Sequence, residues 1–212
     1  MPVMDQLFEA RKTYSWDHAR EIAANLTDEE DLIGDLADEL GDEANALRRA
    51  QSFLKMHSTH SPQVNEPKAA VFLMKQGVTP QLSWEARFSQ PFSPGRLKPL
   101  LGKTWLLHES VWMSRHLNQS EKVQEALVLW RSQGLQVKRP FAQGRDCIDC
   151  GGEGAYSKLF PDQAQQMAVE FWERDAHRAD GILCISDRCA THFKKSLGTT
   201  VPIVSLQNLL SN

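Results

Sequence analysis

Four cysteines stand at positions 147, 150, 184 and 189 of a 212-residue chain, crowded into 43 consecutive positions. They form two pairs, Cys147-Ile148-Asp149-Cys150 and Cys184-Ile185-Ser186-Asp187-Arg188-Cys189. A gap of two residues lets both sulfurs of the first pair face one metal, as in zinc ribbons and iron–sulfur sites. The gap of four in the second pair is less usual but still allows chelation. Gly151, Gly152 and Gly154 follow Cys150 at once, where glycine permits positive φ and brings backbone amides close to a thiolate. Two readings compete with a metal site. Cys184 lies in the apolar run Gly181–Ile185, where cysteine behaves as a small hydrophobe. A CxxC thiolate at Cys147 and Cys150 can also serve as a dithiol switch.

The elements that must position these sulfurs read as strands alternating with helices. Thr104–Leu107 is a short apolar run of strand length. A helix is expected from about Ser120 to Ser132, with Val123, Leu127 and Trp130 on one face and Gly134 placed to stop it. Leu135–Lys138 is a strand candidate. Pro161 opens a helix whose stripe, Ala164, Met167, Ala168, Phe171 and Trp172, has the spacing of a core-facing surface. Gly181–Ile185 reads as a strand, followed by a short helix through Lys195, and Pro202–Leu206 as a last strand. This alternation predicts an α/β fold, a parallel sheet covered by helices.

Residues 103–212 are therefore expected to form an α/β domain, and the remainder is read differently. Residues 1–57 are expected to be a helical, acidic segment. Thr27 and Glu30 have capping-box spacing, and Ile33, Leu36, Leu40, Leu47 and Leu54 recur near helical period. Gly41 offers a break. The acidic run from Asp28 to Glu43 reads as a solvated face, or as a docking surface for a basic partner. Residues 58–102 read as a linker and irregular stretch, with one possible strand at Lys68–Met74 and a short helix opened by Ser93-Pro94.

Composition narrows the function classes. The net charge of −3 gives no general reason to expect nucleic-acid binding. No stretch approaches 18 consecutive apolar residues, so no membrane span is expected. The opening residues lack a signal-peptide pattern, which points to a cytoplasmic protein with reduced thiols or metal ligands. The sequence has no Ser-His-Asp grouping of recognisable spacing, phosphate loop or dinucleotide fingerprint.

The run Asp149 to Ser157, then Pro161, then Ala179-Asp180-Gly181-Ile182-Leu183, resembles the cysteine-rich CCG domain of iron–sulfur oxidoreductase subunits. That domain occurs in the glycolate oxidase iron–sulfur subunit, lactate-utilisation proteins and heterodisulfide reductase. His108-Glu109-Ser110-Val111-Trp112-Met113-Ser114-Arg115 is similar to the family's His-Asp-Pro-Cys-His-Leu-x-Arg signature. The resemblance covers residues 103–212. Val111, Asp149 and Ser186 stand where the family places cysteines, and only Cys150 and Cys189 fall on family ligand positions. Cys147 and Cys184 would be displaced substitutes, so the expected metal set is Cys147, Cys150, Cys184 and Cys189. Asp149 could add an oxygen ligand, and His192 a nitrogen ligand for zinc. His108 and Arg115 are expected to bond backbone or offset thiolate charge, and Trp112 to pack over the site. The resemblance implies an iron–sulfur cluster and an electron-transfer or redox accessory role beside a flavoprotein dehydrogenase or other redox subunit. The alternative is a zinc-bound or metal-free degenerate domain acting as a scaffold or protein-interaction module.

Overall fold

A computed structural model of the chain describes residues 43–57, 63–64, 67–153, 156–206 and 209. The capping box at Thr27 and most of the acidic run lie outside the described residues. The first described element is helix α1 (Glu43–His57), which places residues Ala46 and Ala50 in the core.

The α/β architecture is present. Strands β3 (Thr104–His108), β4 (Gln136–Lys138), β5 (Gly181–Cys184) and β6 (Ile203–Ser205) form one sheet in the order β4-β3-β5-β6, every pair parallel. Parallel neighbours need crossover connections, and helices supply them. Helix α5 (Ser120–Ser132) joins β3 to β4. Helices α6 (Tyr156–Leu159) and α7 (Pro161–Asp175) carry the chain back across β3 to β5, and α8 (Asp187–Leu197) joins β5 to β6. Asp180 pins the starts of β3 and β5 together: its carboxylate accepts from the Thr104 amide at 2.7 Å, and its own amide donates to the Thr104 carbonyl.

Strand alternation sends successive side chains to opposite faces. Trp105, Leu107, Leu183 and Ile185 pack with Val123, Leu127 and Trp130 of α5. Leu106, Ile182, Cys184 and Ile203 pack with Ala168 and Phe171 of α7 and Ala190 and Phe193 of α8. Each fully buried Leu or Ile contributes about 1.5–3 kcal/mol.

Residues 58–102 depart from the linker expectation, except that the short helix expected at Ser93-Pro94 is present. They hold β1 (Gln63–Val64), α2 (Pro67–Lys75), β2 (Gln81–Leu82), α3 (Ser83–Phe88) and α4 (Pro94–Leu97), with β1 and β2 paired in parallel. Val64, Leu73, Leu82, Trp84, Phe88 and Phe92 complete the core on the α5 face of the sheet. The expected strand at Lys68–Met74 is the helix α2. A short apolar run carries no period that separates the two; here Pro67 supplies a helical first residue. Among the described residues no helix is long and apolar enough to cross a membrane.

Candidate metal centre

The chain leaves β3 in one direction toward β4 and re-enters on the other side at β5. In open parallel sheets such a reversal opens a crevice at the carboxyl ends of the two strands, where ligands bind. His108 ends β3 and Cys184 ends β5, with their Cα atoms paired in register. Cys150 comes from the loop before α6, and Cys189 from the first turn of α8. Ligand atoms of His108, Cys150 and Cys189 all lie within 4.8 Å of one another, and all three residues are buried. The imidazole of His108 is held edge-on by Phe171 and Phe193, with ring centroids at 4.9 and 5.0 Å. Neither of its ring nitrogens has a partner with hydrogen-bond geometry.

The glycines after Cys150 let the loop reach this point. Gly151 has φ +75°, and a Cβ there would stand 2.8 Å from Cα of Ala164 on α7. At Gly152 a Cβ would stand 2.7 Å from Cβ of His192 on α8. No larger residue fits between the two helices without displacing one of them. The Asp149 carboxylate accepts from the Gly151 amide at 2.8 Å and closes the turn. The nearby backbone amide of Gly152 favours the Cys150 thiolate.

The electrostatics follow from burial and from neighbours. Burial would raise the Cys150 thiol, but the adjacent Cys189 thiol, His108 and the Gly152 amide bring it well below its ordinary value. Cys189 goes well above its own, first through that contact with Cys150 and then through burial. Burial disfavours the charged form of His108, yet the charges of Cys150, Glu153 and Asp149 leave its pKa raised. Burial, followed by the Asp149 charge, pushes the Glu153 carboxyl up to about 7. Glu153 is 5% exposed, and neither carboxylate oxygen has a partner with hydrogen-bond geometry.

Of the four expected sulfur ligands, the structure brings Cys150 and Cys189 together. Cys184 is buried in the same apolar cluster and its thiol is raised well above the usual value by burial, but its sulfur is not one of the grouped atoms. Its place inside the strand decides this, since there it packs as a hydrophobe. Cys147 is also buried and outside the group; burial raises it to about 11, against the opposing charge of Arg115. The Arg115 guanidinium donates to the Cys147 carbonyl at 2.5 Å, the backbone role expected of it. His192 is spent elsewhere, with Nε2 at 3.0 Å from the Ala164 carbonyl. Trp112 lies in a π-helical turn, Trp112–His116, stacked on His116 at 4.3 Å with Lys68 Nζ 5.1 Å from its ring.

Sequence reasoning undervalued His108 and missed two carboxylates, Glu153 and Glu109. The position of His108 at the polar end of an apolar strand was the available signal. Glu109 is buried beside it and pairs with Arg139 at 2.5 Å while accepting from Ser114. This pair braces the β3 exit against the loop after β4.

Comparison with family models, with curated proteins and with solved structures gives no match for this chain. The donor chemistry is therefore the guide. Two thiolates and an imidazole are the mixed sulfur–nitrogen set that zinc accepts. The buried nitrogens of His108, with only the Cys150 sulfur beside them and neither in hydrogen-bond geometry, fit such an ion, because a buried polar group left unsatisfied costs about 1–3 kcal/mol.

Proposed function

We propose that residues 103–212 form a metal-stabilised, CCG-like domain in which His108, Cys150 and Cys189 hold one zinc ion, and that the domain acts as a scaffold or protein-interaction module. The observation that carries this reading is the convergence of three buried ligand atoms within 4.8 Å at the reversal of strand order. The bound ion would cross-link β3, the glycine loop and α8. Full burial of the donors favours a structural centre over one that turns over substrate, since catalytic zinc keeps an open position.

A second reading is an iron–sulfur redox accessory protein, with a flavoprotein dehydrogenase or other redox subunit as partner. Cys184 favours it, because its Cα pairs with that of His108 and it shares one apolar cluster with Cys150 and Cys189. Purification without oxygen followed by metal analysis separates the two. The zinc reading expects a colourless protein with about one zinc per chain, lost in His108→Ala. A brown protein containing iron and sulfide supports the redox reading, and a chain with neither metal removes both.

A further inference from the structure

We propose that Glu153 is the fourth protein donor of the metal centre, closing it as a set of two thiolates, one imidazole and one carboxylate with no water ligand. This rests on the metal reading above and adds what fills the remaining position. Glu153 follows Cys150 by three residues on the same glycine loop, and its side chain is buried, with neither oxygen in hydrogen-bond geometry to a partner and only the Ser110 hydroxyl near enough to favour its charged form. Its charge acts on both His108 and Cys189, and Cys150 acts on it in turn.

The neighbouring groups that could compete are committed. Asp149 accepts from the Gly151 amide, and His192 lies against the Ala164 carbonyl. Cys184 needs no polar partner, because a thiol is tolerated in an apolar cluster. A carboxylate is different: its ionised form, buried with no more than the Ser110 hydroxyl beside it, costs several kcal/mol. A dication at the three-donor group answers that cost directly. The Glu153 oxygens stand outside the 4.8 Å group, so coordination turns the side chain about its own single bonds. Zinc–carboxylate bonds run at about 2.0–2.2 Å. With Glu153 engaged every donor is buried, as in closed structural sites.

The test uses the full chain loaded with cobalt(II), whose visible bands report coordination, and with zinc in competition against a chromophoric chelator. Wild-type cobalt bands are expected not to move when azide is added. Glu153→Ala opens the position, and azide then shifts the bands. Glu153→Gln is expected to weaken zinc binding at least on the order of 10- to 100-fold, the range for losing even an outer-shell partner. Azide-shifted bands in the wild type, or zinc affinity in Glu153→Gln within about twofold of wild type, overturn the proposal while leaving the three-donor centre standing. Azide-shifted bands in the wild type overturn the proposal even where a variant fails to fold. A wild-type chain that binds neither ion sinks the metal centre itself and this inference with it.

Discussion

The two faces of the four-stranded sheet are made from alternate residues of the same strands, yet they are finished differently. On the α5 face, Trp105, Leu107, Leu183 and Ile185 meet Val123, Leu127 and Trp130, and α2 and α3 extend the same core. On the α7–α8 face, Leu106 and Ile182 meet Phe171 and Phe193, but the carboxyl end of that layer holds His108, Cys150 and Cys189. Both faces keep polar atoms without partners. On the first these include the indole nitrogens of Trp84 and Trp130; by the second they are both nitrogens of His108 and both oxygens of Glu153. A neutral N–H left unpaired costs about 1–3 kcal/mol, and an ionised group costs more. The first face is closed by apolar side chains around its unpaired indole nitrogens, whereas on the proposed reading the second is completed by a cation.

Zinc should therefore act on one face and not on the other. At free zinc about a thousandfold above the dissociation constant, the wild type is expected to gain about 4 kcal/mol in unfolding free energy. Cys189→Ser should lose that gain, as read by urea denaturation in buffered zinc. Equal gains in the two proteins would erase the distinction between the faces. Leu107→Ala is the complementary change. Leu107 is fully buried on the α5 face, and its loss should cost about 3 kcal/mol with or without zinc. A zinc gain in Leu107→Ala that falls short of wild type by more than about 1 kcal/mol, beyond the error of usual additivity, would show the faces to be coupled.

How far these faces were legible in the sequence differs in the same way. Period and breakers located the helix Ser120–Ser132, the helix opened at Pro161 and the strands of the sheet, because local pattern sets them. The placement of β5 beside β3 rather than beside β4 is a long-range event, and no local period records it. That placement brings Cys184 into register with His108. Sulfur spacing along the chain pointed to Cys147 and Cys184. The fold instead groups His108 with Cys150 and Cys189, and the carboxylate proposed as a fourth donor gives no signal in its glycine run until its burial is known. Residues 58–102 were misread for a related reason. Their short apolar runs join the core through long-range contacts, such as α3 against α5 and α2 against the Trp112–His116 turn, which composition does not encode.

The smallest expected effect lies at Ser186, the residue that precedes α8. Ser186 caps α8: its Oγ accepts from the Cys189 amide at 3.5 Å, and its carbonyl accepts from the Ala190 amide. The cap thus holds the backbone of a ligand residue as well as a helix end. Removing a serine cap costs about 0.5–2 kcal/mol, and the long contact here places Ser186→Ala at about 0.5 kcal/mol without metal. The two sheet faces make the outcome informative. If Ser186 served the helix alone, zinc would add the same increment to the variant as to the wild type. If the cap also orients Cys189, zinc affinity should fall as well, by about tenfold, the lower end for losing an outer-shell partner. Chelator competition on wild type and Ser186→Ala reads that difference. Unchanged affinity beside a measurable loss of stability would confine Ser186 to capping, and would leave Cys189 positioned by α7 and α8 packing alone.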